Sequence, residues 1–190
     1  MKVKEKMLNQ AYYLGFDPEL LTEREAAKDS LFHFNNLLPS NRQARASIIK
    51  ELFGSCGDEP WIESPFNCDY GSNIHVGNNF YANNNCTILD CATVTIGDNV
   101  MFGPNVSLYT PNHPLDASER QAGYEQAFPI TIGHNVWLGG SVTVTPGVSI
   151  GDNSVIAAGS VVTKDIPANV IAAGLPCRVL RPITDADKRL

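Results

Sequence analysis

The sequence has no excess of positive charge. Its 14 lysines and arginines are outnumbered by 20 aspartates and glutamates, which gives the 190-residue chain a formal net charge of -6 at pH 7. Nonspecific nucleic-acid binding depends on neutralising phosphates with lysine and arginine, so this balance argues against it. No polybasic run offers a patch for an anionic membrane surface either. We therefore expect neither nucleic acid nor a membrane among the partners.

Long apolar runs and paired cysteines are also missing. No stretch approaches the roughly 20 apolar residues that span a bilayer, and Glu5 interrupts the N-terminus, which lacks the apolar core of a signal peptide. The five cysteines are odd in number, irregularly spaced and without a CxxC pair. These features favour a cytoplasmic protein with reduced thiols. Without a Walker loop or a GxGxxG motif, the chain gives no indication of ATP or NAD binding.

The chain divides into regions with different periods. Residues 1–57 are predicted to be helical, because apolar residues recur at helical spacing. Thr22 with Glu25 has the spacing of a capping box, and Asp17-Pro18 and Pro39-Ser40 are candidate helix boundaries. Residues 58–175 follow a different repeat, and residues 176–190 form a C-terminal tail. A polar excursion over residues 109–129 (YTPNHPLDASERQAGYEQAFP) interrupts that repeat. An insertion this long in a compact domain is uncommon unless it is functional.

A period of six residues dominates the second region. Aliphatic residues occupy successive repeat positions, and a small residue follows each of them in the longest run. The six members of that run are Ile132, Leu138, Val144, Ile150, Ile156 and Val162, and the same register occurs earlier at Val76, Ala82, Ile88, Ile96, Phe102 and Leu108. Strands this short, separated by Gly- and Asn-rich turns, cannot cover their own apolar side. Successive coils must therefore stack into a solenoid.

These hexapeptides resemble those of the hexapeptide-repeat acyltransferases, and in particular the maltose/galactoside O-acetyltransferase family. The resemblance implies a mainly β fold: a left-handed parallel β-helix with an N-terminal helical region and an extended catalytic loop. It also implies a homotrimer. The motifs that carry it are DYGSNIHVGNNFYANNN (69–85), TVTIGDNVMFGPNV (93–106), TPNHPLD (110–116), FPITIGHNVWLGG (128–140) and GDNSVIAAGSVVTKDIPANVIAAGLPCRVLR (151–181).

The activity that the resemblance implies is transfer of an acetyl group from acetyl-CoA to a sugar hydroxyl, namely the 6-hydroxyl of maltose, glucose or a galactoside. His113, in the excursion, matches the histidine that serves as general base in these enzymes. A neutral imidazole suits that task near pH 7. Because no Cys or Ser is paired with this base, we expect direct attack in a ternary complex. Asn83 matches the asparagine that contacts the acceptor and stabilises the transition state.

Further candidate residues lie on both sides of the reaction. Asp69 and Asp90 are candidates to accept hydrogen bonds from sugar hydroxyls, with turn capping as the alternative for each. Asp17 lies close to the position of a sugar-contacting aspartate in the family. Guanidinium groups suit the phosphates of CoA, with ordinary surface charge as the alternative. The positions matched to acetyl-CoA contacts are Trp137, Gly140, Ala158, Thr163, Lys164, Arg178 and Arg181.

Two departures from the galactoside enzymes leave the acceptor open, and a third concerns the cofactor. Cys91 stands where they have an aspartate, Asp69 where they have a serine, and Gly140 where a serine contacts the cofactor. The change at Asp69 resembles the maltose and glucose branch. One alternative function is acetylation of a non-sugar or lipo-oligosaccharide acceptor by the same fold, and another is a noncatalytic scaffold. No two histidines have the spacing of a zinc site, so no metal is expected.

Overall fold

Three helices precede the β-helix in the computed structural model, which describes residues 1–190: α1 (Val3–Leu8), α2 (Pro18–Asn36) and α3 (Arg42–Leu52). α2 begins where the Asp17 side chain accepts a hydrogen bond from the Glu19 N–H at 3.0 Å. Thr22, which the capping-box spacing placed at a helix start, lies inside α2, and its hydroxyl donates to the Pro18 carbonyl. The helical character of this region is therefore as predicted, but α2 starts earlier than Thr22.

Each coil of the β-helix contributes one short strand to each of three parallel sheets, which we call the first, second and third faces. The first face contains Ser55–Cys56, Ile74–Val76, Val94–Ile96, Ile130–Ile132 and Ser149–Ile150. The second contains Trp61–Ile62, Tyr81–Ala82, Met101–Phe102, Trp137–Leu138, Val155–Ile156 and Val170–Gly174, and Cys177–Pro182 pairs antiparallel with the last of these. The third contains Phe66–Cys68, Cys86–Leu89, Ser107–Tyr109, Thr143–Val144 and Val161–Val162.

The repeated aliphatic residues form the core of this β-helix. All six members of the longest run are at most 1% exposed, and they stack in register, with Leu108 paired to Val144 and Val144 to Val162. Burial of aliphatic side chains is the main stabilising contribution available to such short strands. The fold class predicted from the hexapeptide period is confirmed.

Three rows of turns connect the faces, and we call them corners. The first corner leads from the first face to the second, the second corner from the second face to the third, and the third corner on to the next coil. Five asparagines at the first corner adopt a left-handed backbone with φ between 55° and 60°, and their amides bond from coil to coil at 2.9–3.1 Å. Asparagine tolerates this conformation at low cost. The five are Asn79, Asn99, Asn135, Asn153 and Asn169.

The small residues of the repeat allow the coils to approach closely. A Cβ atom on Gly103 would lie 2.6 Å from the Gly140 nitrogen, and one on Gly139 would lie 2.5 Å from the Ala158 nitrogen. Because these neighbours are backbone atoms, they have little freedom to move aside. Glycine is therefore required where the coils stack most tightly.

Helices α2 and α3 cover the first coil and satisfy its outer backbone groups. The Asn35 side chain both donates to the Phe66 carbonyl and accepts from the Phe66 N–H, each at 2.9 Å. Arg45, which is only 7% exposed, donates to the Ile62 carbonyl at 3.0 Å. Side chains of the helical region thus bond to strands that have no preceding coil.

The polar excursion leaves the β-helix at the third corner and has its own structure. It contains the strand Pro111–Asn112, the helix α4 (Ala117–Gln121) and the strand Tyr124–Ala127. The last strand lies in the middle of a small antiparallel sheet, between Pro111–Asn112 and the N-terminal strand Tyr13–Leu14. The excursion is therefore fastened to the N-terminal region.

The β-helix extends beyond residues 58–175 at both ends, into the segments that the sequence periods assigned to the helical region and to the tail. Ser55–Cys56 already pairs with Ile74–Val76, so the β-helix begins inside the segment 1–57. At the other end, Cys177–Pro182 extends the second face into the segment 176–190, which closes with a short 3-10 helix at Asp185–Asp187. None of the helices combines the length and the apolar character that a membrane span requires.

Candidate active site

Asp90 supports the third corner from inside. Its Oδ1 accepts hydrogen bonds from the N–H groups of Asp69 at 3.0 Å and Tyr70 at 2.8 Å, and its Oδ2 accepts from the Asn73 N–H at 3.3 Å. Burial raises the pKa of Asp90 to about 6, against the lowering effect of these backbone bonds. Because this carboxylate is fully buried, it positions the Asp69 turn and does not face a ligand.

Asp69 is half-buried on that turn, and Cys91 contacts its carboxylate. The Cys91 thiol donates to the Asp69 Oδ2 across 3.6 Å. Burial, reinforced by the charge of Asp69, raises the pKa of Cys91, so the thiol keeps its proton and remains a donor. Cys91, which stands where the galactoside enzymes have an aspartate, therefore orients Asp69, which stands where they have a serine. The other oxygen of Asp69 remains available to accept from a ligand hydroxyl.

His113 presents an exposed ring on a firmly held backbone. Its N–H donates to the Asn112 side chain at 3.0 Å, and neither ring nitrogen has a hydrogen-bond partner within the chain. Arg120 holds the next residues by donating to the carbonyls of Pro114 at 2.8 Å and Leu115 at 2.6 Å. A ring with free nitrogens on a fixed loop is able to take a proton from a bound molecule.

Glu125 is a further candidate site residue, which the sequence motifs did not indicate. It lies in the excursion, on the strand next to the one that precedes His113. Asn112 pairs with Gln126 at the end of this ladder, and His113 and Glu125 are the next residues along the two strands. The sequence did contain an indication: Glu125 lies in the same excursion as His113, and two antiparallel strands joined by a turn can bring residues at this separation together.

The second corner collects a different set of predicted residues. Asn83, Gly140 and Ala158 each follow a strand of the second face and lie along this corner, with the strand Met101–Phe102 between those of Asn83 and Gly140. The N–H groups of Gly140 and Ala158 have no acceptor within the chain. The Asn83 Oδ1 accepts from the Asn84 N–H at 2.8 Å, which leaves the Asn83 Nδ2 as a free donor. This corner therefore offers a column of hydrogen-bond donors.

Trp137 lies on the outer surface of the second face. It is 50% exposed, and its strand register places it between Met101 and Val155. The indole therefore presents an apolar surface to solvent beside the donor column of Gly140 and Ala158. An exposed tryptophan of this kind suits an extended, partly apolar ligand.

The remaining cofactor candidates are exposed near the C-terminal end. Thr163 and Lys164 lie at the third corner, after the strand Val161–Val162. Arg178 bonds to the carbonyl of Cys177 at 2.8 Å, and Arg181 is paired with Asp187. Asp17, the last acceptor-side candidate, uses one oxygen to cap α2.

A single chain does not bring the whole set together. His113 and Asp69 belong to the third corner, whereas Asn83 and Gly140 belong to the second. The third face lies between these corners, and its four-residue strand Cys86–Leu89 spans about 13 Å at roughly 3.3 Å per residue. The predicted proton acceptor and the predicted oxyanion donor therefore lie on different edges of the prism.

The other histidines have separate environments. His33 is exposed near the end of α2, and the His75 Nδ1 lies 2.9 Å from the Ser55 hydroxyl. His134 lies at the first corner, where its Nδ1 accepts from the Asp98 N–H at 3.0 Å. No group of three or more His, Cys, Asp or Glu side chains is arranged to hold a metal ion.

Comparisons with known proteins cover nearly the whole chain. The sequence profile described as "Maltose acetyltransferase hexapeptide capping motif" matches residues 6–57, and "Hexapeptide repeat of succinyl-transferase" matches residues 129–164. The galactoside O-acetyltransferase of Escherichia coli is 55% identical over 166 residues, which are 87% of this chain and 82% of that protein.

Solved structures agree with this relationship. A maltose O-acetyltransferase from Clostridium difficile superposes with a TM-score of 0.96 at 51% identity, covering 97% of this chain and 99% of that one. A galactoside acetyltransferase in complex with coenzyme A superposes with a TM-score of 0.96 at 50% identity, covering 100% of this chain and 95% of the other.

Proposed function

Because the chain belongs to the maltose/galactoside O-acetyltransferase family, we propose that it transfers the acetyl group of acetyl-CoA to a sugar hydroxyl, the 6-hydroxyl of maltose, glucose or a galactoside. Acetyl-CoA-dependent acetyl transfer is the activity of this family. The observation that carries the proposal is the exposed His113 ring on its fixed loop, which leaves the same corner as Asp69 and lies next to the strand of Glu125.

His113 acts as the general base in this proposal. The acceptor oxygen attacks the thioester carbonyl while a ring nitrogen of His113 takes the hydroxyl proton. The tetrahedral intermediate then collapses, the carbon–sulfur bond breaks, and His113 returns the proton to the sulfur of CoA. No acetyl-enzyme forms, because both substrates are bound together.

Asn83 stabilises the negative charge that develops on the carbonyl oxygen. Its Oδ1 is occupied by the Asn84 N–H, so the Nδ2 is the atom turned outward as a donor. A donor fixed before the reaction needs little reorganisation as the charge develops. The free N–H groups of Gly140 and Ala158 extend this row of donors and bind the acetyl-CoA arm, with Trp137 against its apolar part.

The acceptor lies on the third-corner side. Asp69, held by Cys91, and Glu125 each offer a carboxylate oxygen to sugar hydroxyls, and the second oxygen of Asp17 is a further acceptor. Asp90 acts indirectly, by holding the Asp69 turn. Thr163 and Lys164, at the third corner, contact acetyl-CoA from that side, and Arg178 and Arg181 meet its phosphates.

The separation of the two corners supports a homotrimer with shared sites. The third corner of one chain and the second corner of its neighbour can form one complete site in a closed ring, which no single chain provides. Mixing His113→Ala subunits with Asn83→Ala subunits tests this, because each variant retains the residue that the other lacks. Random trimers at equal ratio should recover about a quarter of the wild-type sites. Activity that stays at the level of the separate variants would exclude shared sites.

An acceptor screen tests the function itself. Purified protein is incubated with acetyl-CoA and maltose, glucose, galactosides, amino alcohols or lipo-oligosaccharides, and free CoA thiol is measured. Release with sugars, followed by mapping of the acetylated oxygen by NMR, supports the proposal. Release only with another class supports the alternative acceptor, and no release with any hydroxyl compound supports a noncatalytic scaffold.

A further inference from the structure

The N-terminal strand pairs with Glu125, on the strand that also pairs with the segment leading into His113. Tyr13–Leu14 pairs antiparallel with Tyr124–Glu125, so Tyr13 is opposite Glu125 on one side of the small sheet. On the other side, Asn112 pairs with Gln126, so His113 and Glu125 each lie one residue beyond this pair. Side chains directly opposite in an antiparallel pair lie on the same face of the sheet. Glu125 therefore lies between the N-terminal region and the catalytic loop.

Tyr13 holds one oxygen of the Glu125 carboxylate. Its hydroxyl donates to the Oε2 at 2.8 Å, and the tyrosine itself is only 2% exposed. Burial, with smaller contributions from Cys91 and Glu125, raises the pKa of Tyr13, so the phenol stays protonated and the carboxylate is the acceptor. The Oε1 has no hydrogen-bond partner within the chain. One carboxylate oxygen is therefore fixed, and the other is free.

Gly15 provides the space that this carboxylate occupies. A Cβ atom at position 15 would lie 2.5 Å from the Glu125 Oε1 and 2.9 Å from its Oε2. The backbone around Gly15 is also held, since its N–H donates to the Gly123 carbonyl and its carbonyl accepts from Arg24. The N-terminal segment thus shapes the position of Glu125 by a donated hydrogen bond and by the absence of a side chain.

We propose that Tyr13 is a positioning residue for acceptor recognition, holding Glu125 so that its free oxygen accepts from a hydroxyl next to the one that reacts at His113. The inference rests on the proposed function. It makes the N-terminal region part of the acceptor site and identifies the acceptor as a polyhydroxy compound with at least two hydroxyls within reach. Without Tyr13, the Glu125 side chain would sample several rotamers and lose this alignment.

Tyr13→Phe tests the role with the loss of one oxygen atom. The KM for the sugar is expected to rise roughly tenfold, the value of one hydrogen bond to a charged group. The KM for acetyl-CoA should stay within twofold. Tyr12→Phe is the matched control, because Tyr12 is the neighbouring tyrosine, 53% exposed and without a hydrogen bond from its hydroxyl. An unchanged sugar KM in Tyr13→Phe would overturn the proposal.

Two further variants separate positioning from a general structural role. Gly15→Ala displaces the flexible end of Glu125 without altering Tyr13, so it should raise the sugar KM in the same way. In a Glu125→Ala background, neither Tyr13→Phe nor Gly15→Ala should raise the sugar KM further. If the effects of Tyr13→Phe and Glu125→Ala instead multiply, Tyr13 does not act through Glu125, and the proposal fails.

Deoxy sugars identify the hydroxyl and cover the case in which Tyr13→Phe fails to fold. The wild type should discriminate against one deoxy analogue whose missing hydroxyl is not the acetylated one, and Glu125→Ala and Gly15→Ala should lose that discrimination. Discrimination that survives in both variants would overturn the proposal. A wild type that releases no CoA with any sugar would instead overturn the proposed function, which these variants do not test.

Discussion

Arg181 and Asp187 form a two-pronged ion pair, in which the terminal nitrogens of the guanidinium lie 2.8 and 2.7 Å from the two carboxylate oxygens. This contact lowers the pKa of Asp187 below its usual range. Both side chains are on the surface, where such a pair contributes little to stability. The pairing matters for binding, because the same guanidinium edge is the one that would hold a CoA phosphate.

Arg181→Ala and Arg178→Ala should each raise the KM for acetyl-CoA roughly tenfold and leave the KM for sugar unchanged, because a phosphate contact lies far from the reacting thioester. Asp187→Asn should lower the KM for acetyl-CoA by up to about fivefold, since it releases Arg181. Asp185→Asn, which removes the neighbouring partner of Lys188, is the control. Initial rates give the KM values of these four variants, and calorimetric titration with acetyl-CoA gives the corresponding dissociation constants. Wild-type affinity in both arginine variants would mean that they are ordinary surface charge.

His113→Ala should lower kcat by roughly 10²–10⁴ while the affinity for acetyl-CoA changes little, because a general base acts in the chemical step. His33→Ala, which alters an exposed histidine of α2, should retain wild-type rates. Initial rates of CoA release give kcat, and calorimetry gives the affinity. More than about half of the activity remaining in His113→Ala would rule out its role as the base.

Asp90 should make the stability of the protein depend on pH. Burial raises its pKa to about 6, above the unfolded value of about 3.9, so the folded state binds the proton more tightly. The protonated carboxyl therefore favours folding fully below about pH 4, and this contribution is lost as the pH rises through about 6. A difference of about two pKa units corresponds to about 3 kcal/mol.

Asp90→Asn removes this titration. The unfolding free energy of the wild type should fall relative to that of Asp90→Asn by about 2 kcal/mol between pH 4 and pH 7, because part of the limiting contribution is already lost at pH 4. Denaturant unfolding at fixed protein concentration measures the difference, and Asp29→Asn, an exposed position on α2, is the control. A wild type and an Asp90→Asn variant with parallel pH profiles would show that Asp90 does not titrate in this range.

The asparagine column at the first corner should be sensitive to the type of replacement. Asn135 combines a φ of 55° with two side-chain hydrogen bonds, to Asn99 and to Asn153. Asn135→Gly loses only the bonds and should cost about 1–2 kcal/mol, whereas Asn135→Ala adds left-handed strain of about 1 kcal/mol or more. Thermal midpoints should therefore rank wild type, glycine variant, alanine variant. Equal midpoints for the two variants would mean that the backbone strain is negligible.

The β-helix was predictable because its signal repeats. Each aliphatic position, such as Ile132 or Leu138, is separated from the next by the same six residues, so independent observations agree on one register. The start of α2 lacked that redundancy. The sequence offered both the capping-box spacing at Thr22 and the boundary at Asp17-Pro18, and the structure begins α2 at the second of these, a choice that neither local motif reveals.

The site was harder to predict because its geometry depends on long-range pairing. His113 was identified from its motif, yet Glu125 and Tyr13 come together through a sheet between segments about a hundred residues apart. Asp90 illustrates the opposite error. Its residue type fits a sugar ligand, but burial and three backbone hydrogen bonds give it a supporting position. The residues adjacent in sequence do not predict whether a carboxylate at a corner points into the β-helix, as that of Asp90 does, or toward solvent.

The helices that cover the first coil also prevent chains from adding to one another along the axis of the β-helix. A stack of parallel coils has strand edges at both ends, and an unprotected edge is a template on which further chains can add. Asn35 and Arg45 occupy the positions where the backbone of another molecule would dock, and the strand Cys177–Pro182 folds back at the opposite end. Growth along the axis is thereby blocked in both directions, and a truncated chain that begins at residue 54 would be expected to form fibres.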